Sequence, residues 1–76
     1  MADIIVDARG LSCPLPVLKA RRALRELPSG ATVEVLSTDP GSAEDFPSYC
    51  QSAGHTLLEA TLVDDAFRFV IRKGDE

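Results

Sequence analysis

The run Asp7-Ala8-Arg9-Gly10-Leu11-Ser12-Cys13-Pro14-Leu15-Pro16 is where an extended chain turns into a helix. Upstream, Ile4-Ile5-Val6 lies between Asp3 and Asp7, so Asp3 to Ala8 reads as a short β-branched strand that Gly10 closes. Downstream, Pro14 suits the first position of a helix, where its missing N–H would have no partner. Pro16 is still within the first turn and is tolerated there. A residue before proline avoids the α region, which makes Cys13 the expected N-cap. That places a thiol at the positive end of a helix macrodipole. Such a setting lowers a cysteine pKa from about 8.5 and raises the thiolate fraction. Thiolates attack sulfur, so this junction predicts sulfur chemistry.

Apolar spacing carries the helix from Pro14 to Leu27. Val17, Ala20, Leu24 and Leu27 fall on one side with Ala23 at its edge, and Lys19, Arg21, Arg22, Arg25 and Glu26 take the remainder. Pro28-Ser29-Gly30 stops it. Leu18 breaks the pattern, lying among the basic side chains about one turn past Pro14. Either a loop covers it, or it offers an apolar contact to a partner. Ala31 to Thr38 predicts a second strand, with Val33 and Val35 on one face and Glu34 on the other. Asp39-Pro40-Gly41-Ser42 opens a second helix, with Asp39 or Ser42 as its cap. Pro47 is expected to kink this helix or force a fresh start, and Gly54 suits its end.

His55 to Val63 and Ala66 to Lys73 read as two further strands around an Asp64-Asp65 turn. Phe67, Phe69 and Ile71 share one face of the last strand, and Arg68, Val70 and Arg72 share the other. The order is βαβαββ. Right-handed crossovers put both helices on one face of a four-stranded mixed sheet, giving a two-layer α/β sandwich.

A chain of 76 residues holds one domain, 1–76, with a modest core. Its 45% hydrophobic and 26% charged content fits a soluble globular domain rather than a disordered segment. The apolar run at Ile4-Ile5-Val6 is too short for a signal peptide or a membrane span, so a cytoplasmic protein without a membrane partner is expected. The net charge of −4 is unevenly spread. Residues 1–25 carry Arg9, Lys19, Arg21, Arg22 and Arg25 against Asp3 and Asp7, while Glu26 to Phe67 holds eight acids and no Lys or Arg. Cys13 thus belongs to the basic part of an acidic chain. The basic face is either a docking surface or a solvated helix face. An acidic balance with three Phe, one Tyr and no Trp argues against direct nucleic-acid binding. A regulatory or phosphate-tracking module using the basic face of the first helix is the alternative function.

Cys13 and Cys50 do not make a secreted disulfide framework. With the lone His55 they fall short of a four-ligand zinc site, so neither metal nor cofactor is expected. Cys13, on a strand-to-helix loop, reads as exposed and reactive. Cys50 shares helical spacing with Ala43, Phe46 and Ala53 and reads as core. His55 is either a local hydrogen-bonding residue or a base for sulfur transfer. Arg9 is placed to support the Cys13 thiolate, and Asp7 to end the strand with a turn.

The block Gly10-Leu11-Ser12-Cys13-Pro14-Leu15-Pro16 resembles the Cys-Pro-x-Pro signature of the TusA family of small sulfur carriers, also called SirA-like. The similarity continues through Asp39-Pro40-Gly41, Asp45, Pro47, Cys50, Gly54-His55 and Ile71-Arg72-Lys73-Gly74. The resemblance implies a fold similar to the sandwich above, with Cys13 as the persulfide-forming cysteine. It further implies a sulfurtransferase-type carrier that accepts sulfane sulfur from a cysteine desulfurase or rhodanese-like donor and hands it to an acceptor protein. Its outlets in the family include thiolation of the tRNA wobble uridine, molybdenum-cofactor assembly and sulfur oxidation. Ser12 stands where some members carry a basic residue, so no particular donor or acceptor is implied. The residues expected to meet a partner are Arg9, Pro14, Pro16, Leu18, Lys19, Arg22 and Arg25.

Overall fold

The alternation of Val33 and Val35 with Glu34 makes one face of the second strand apolar, and the sheet is built around that strand. In the computed structural model, which describes residues 3–74, β1 (Ile4–Ala8) runs parallel to β2 (Thr32–Ser37). β4 (Ala66–Arg72) pairs antiparallel with β2 on one side and with β3 (Thr56–Val63) on the other. The strand order is therefore β1-β2-β4-β3. Two helices, α1 (Leu15–Arg25) and α2 (Ser42–Ala53), supply the crossovers. Asp64 and Asp65, with φ of 50° and 64°, form the tight β3–β4 turn. Left-handed residues at both turn positions match the twist of the flanking strands. The predicted two-layer mixed-sheet sandwich is the fold observed.

The strand register aligns Val6 with Val35 and Phe69, and Val33 with Ile71. These side chains, with Ala20 and Leu24 of α1 and Phe46 and Cys50 of α2, form the buried core on one sheet face. The Phe46 and Phe69 rings stack at 4.5 Å between centroids. Burying each large apolar side chain of this kind contributes about 1.5–3 kcal/mol. The opposite face is wetter. There Arg68 bridges Glu34 at 3.0 Å and Glu59 at 3.4 Å. β3 carries a register irregularity between Leu57 and Glu59.

Both helices begin differently from the sequence expectation. Pro14, not Cys13, occupies the N-cap position of α1, so Pro16 takes the second helical position. The Cys13–Pro14 peptide bond is cis. Leu15 N donates to the Ser12 carbonyl at 2.9 Å, so a separate turn precedes the helix and carries Cys13 outside it. Pro16 is fully buried, which removes it from the expected partner surface.

In α2 the cap position falls on Gly41, and no side chain caps the helix. Ser42 is instead buried, sharing a 2.7 Å hydroxyl–hydroxyl hydrogen bond with Ser37 at the end of β2. A buried hydroxyl without a partner is costly, and this pairing outweighs capping. Pro47 does not force a fresh start: the helix runs unbroken from Ser42 to Ala53. Ala43, whose carbonyl loses its partner to the proline, lies with Pro47 on the exposed side. There water can serve the freed oxygen. Gly54 ends α2 with φ of 79°, as predicted.

Candidate functional site

Parallel neighbours place their C-terminal ends at the same edge of a sheet, so the loops after β1 and β2 meet. Gly10, with φ of 80°, turns the first loop, and its N–H donates to Thr38 Oγ1 of the second at 2.9 Å. Cys13 is exposed on the first loop. Facing it across the junction are Asp39, from the second loop, and Asp45, from the first turn of α2. The Cys13 Sγ and one carboxylate oxygen from each acid all lie within 4.8 Å of one another. Gly41 makes this closeness feasible. A Cβ there would stand 3.1 Å from Asp39 Oδ2 and 3.4 Å from Asp45 Oδ2.

The charge around the thiol has the opposite sign to that expected. The Cys13 pKa is raised, chiefly through hydrogen bonding to the Asp45 carboxylate, then through desolvation and the charges of Asp45 and Asp39. The helix dipole that was expected to lower it is one residue further away. Arg9, expected to support a thiolate, is turned elsewhere. Its Nε and Nη2 donate to Asp7 Oδ1 and Oδ2 at 2.8 and 3.0 Å, and this pairing holds Asp7 at about 2. Lys19 Nζ donates to the Asp7 carbonyl at 2.7 Å. The two cations nearest Cys13 in sequence are therefore both committed to Asp7.

Cys13, Pro14, Val17, Asp45, Ser48 and Tyr49 line an open cavity of about 380 Å³ between α1 and α2. One thiol and two carboxylates offer three donors, fewer than the four that close a structural zinc site, and they set a proton donor beside two acceptors. Leu18 is 47% exposed, and no loop among the described residues covers it. It lines a second groove with Leu11, Leu15, Lys19 and Arg22. Arg22 and Arg25 are exposed along the same helix. Cys50 is buried, and burial pushes its thiol up to about 11. His55 is buried too, and its Nδ1 accepts from Gly74 N at 3.0 Å. It therefore serves as a local hydrogen-bonding residue.

Sequence reading named Asp39 as a helix cap and Asp39 and Asp45 within the family-like pattern, but gave neither a place beside Cys13. They stand 26 and 32 positions after Cys13. The signal available was the helical crossover between the first two strands, which makes them parallel and brings the two following loops together.

The TusA family model, described as sulfurtransferase TusA, matches residues 4–73. The sulfur carrier protein TusA of Allochromatium vinosum is 41% identical over 71 residues, covering 93% of this chain and 93% of its own. YrkI of Bacillus subtilis is 42% identical over 73 residues, covering 96% of this chain and 97% of its own. The solved structure of a SirA-like protein from Desulfitobacterium hafniense superposes with a TM-score of 0.83 at 31% identity, covering 95% of this chain and 99% of that one. No helix among the described residues is long and apolar enough to cross a membrane. A match over nearly the whole chain, in sequence and in fold, establishes that this protein belongs to the TusA, or SirA-like, family of sulfur carriers.

Proposed function

We propose that Cys13 is the sulfur-bearing residue, loaded as a persulfide by a cysteine desulfurase or rhodanese-like donor and unloaded by an acceptor protein of tRNA thiolation or a related relay. The observation that carries this reading is the contrast between the two thiols: Cys13 opens onto a cavity at the surface, and Cys50 is buried. The Cys13 sulfur attacks the outer sulfur of the donor persulfide, the donor S–S bond breaks, and Cys13 retains the sulfane sulfur. An acceptor thiolate then repeats the exchange on Cys13. The chain's part is to present and position the thiol, and thiolate fraction and access govern both steps. Such a relay belongs in a reducing compartment, in keeping with the cytoplasm.

The docking surface of this reading is the exposed part of the predicted set. Pro14 flanks the thiol, Leu18 supplies an apolar contact, and Arg22 and Arg25 supply charge that raises encounter rates with an acidic partner. Arg9 and Lys19 contribute less, since both are held at Asp7. The engagement of Lys19 at Asp7 also takes one of the four cations of α1 away from the alternative of phosphate tracking along that helix.

Incubation with a cysteine desulfurase and cysteine should add one sulfur to the protein, removable by reductant and visible by mass spectrometry. Cys13→Ser should gain none, and Cys50→Ser should gain it as the unmodified protein does. The opposite pattern would move the carrier role to Cys50.

A further inference from the structure

The two carboxylates beside Cys13 pose a chemical problem, because they hold a thiol protonated where transfer requires a thiolate. We infer that Asp45 is the proton acceptor for Cys13 during sulfur transfer, and that Asp39 supplies charge without taking the proton. This inference rests on the reading of Cys13 as the sulfur-bearing residue.

The geometry supports a division of labour between the acids. Asp45 and Cys13 line the same open cavity, so the acid borders the space an incoming persulfide must enter. Asp39 Oδ2 is buried with no hydrogen-bond partner among the described residues, and Asp39 does not line that cavity. The groups around Cys13 can be taken element by element. From α1 and its approach come the apolar Pro14 and Val17, from the β2–α2 loop Asp39, and from α2 Asp45 with Tyr49. The cations Arg9 and Lys19 are both engaged by Asp7. Asp45 is thus the base that borders both the sulfur and the cavity.

The step balances without an outside oxidant or reductant. The Cys13 thiol proton passes to the Asp45 carboxylate as the sulfur attacks the outer sulfur of the donor R–S–SH. A new S–S bond forms on Cys13 while the donor S–S bond breaks. The donor departs with the electron pair as R–S⁻, and Asp45 returns the proton to it as R–SH. The products are Cys13–S–SH and R–SH, with Asp45 again a carboxylate. A positioned acid–base group of this kind is worth about 10²–10⁴-fold in rate.

The test compares two reactions at Cys13, each followed by peptide-resolved mass spectrometry across the neutral pH range. Alkylation by iodoacetamide follows the thiolate fraction alone. Sulfur uptake from cysteine persulfide also requires the proton transfer. In Asp45→Asn, alkylation should quicken several-fold because a negative charge is gone, whereas uptake should slow by at least about tenfold. Asp45→Glu should recover part of the uptake. Asp39→Asn should quicken both reactions by a similar factor. Uptake and alkylation changing in step in Asp45→Asn would overturn the inference and leave Asp45 a purely electrostatic neighbour. If the unmodified protein takes up no sulfur at Cys13, the carrier reading itself fails, an outcome separate from any result in the variants.

Discussion

The two cysteines have the same direction of pKa shift for different reasons. Cys50 is raised by burial among core side chains, whereas Cys13, at the surface, is raised chiefly by the carboxylate facing it. A thiol silenced by burial stays silent while the protein is folded. A thiol restrained by charges is released when a neighbour takes its proton or a cation neutralises the acids. Exposure alone therefore does not make Cys13 reactive. On the proposed reading of Cys13, its reactivity depends on what enters the cavity beside it.

The largest effect that would break this contrast concerns stability in alkali. The Cys50 thiol is protonated in the folded state up to about 11, against an ordinary value of 9.0. Between those values the folded state binds more protons than the unfolded one. Its contribution to stability is therefore complete below the ordinary value and lost as pH rises through the folded one. A shift of this size corresponds to at most about 2–3 kcal/mol. Cys50→Ala should flatten the alkaline decline in urea unfolding, leaving the smaller part due to Cys13. A decline that survives unchanged would show that burial does not hold the Cys50 proton.

A smaller effect concerns access. Reversing Arg22 and Arg25 to Glu should slow loading by a protein donor by about tenfold at low salt and weaken its salt dependence. Iodoacetamide alkylation of Cys13 should change little, because the thiol itself is not touched. Equal loading rates at low salt would reduce the basic face of α1 to a solvated surface.

The smallest effect tests the cation nearest the thiol in sequence. The Asp7 carboxyl is held at about 2, against an ordinary 3.8, by its hydrogen bonds to Arg9. A depressed carboxyl contributes stability above its ordinary pKa and loses that contribution as pH falls through the folded value. Both partners are exposed, so the effect on stability is slight. Arg9→Gln should raise the Asp7 titration seen by carboxyl NMR while leaving Cys13 alkylation unchanged. Slower alkylation would return Arg9 to the role of thiolate support.

Local pattern was enough to read most of the fold. Alternating Val33-Glu34-Val35 and Phe67-Arg68-Phe69 revealed strands, Gly54 and Asp64-Asp65 marked turns, and helical spacing with Phe46 put Cys50 in the core. Proline positions were harder. The turn at Ser12 to Leu15 moved the start of α1 by one residue and buried Pro16, because a proline fits either of the first two helical positions. Ser42 was read as a cap because its buried partner, Ser37, lies on another element. The electrostatics of Cys13 were misread for the same reason. Neighbours in sequence supplied Arg9 and Lys19, while neighbours in space supplied Asp39 and Asp45. Local periodicity reports which way a side chain faces and says little about which distant charges it will meet.

The register irregularity in β3 has a bearing on solubility. A four-stranded open sheet has two rims, here β1 and β3, and a straight exposed rim is a template for pairing with another copy. On β3, Leu58, Leu62 and Val63 are 46%, 66% and 49% exposed, an apolar rim that would invite such stacking. The break between Leu57 and Glu59 lies in the β3–β4 ladder, and a strand irregular on its paired side presents a less regular free rim. On the other rim, Asp3 precedes β1 and Asp7 lies within it. Edges that pair poorly with other copies limit edge-to-edge association.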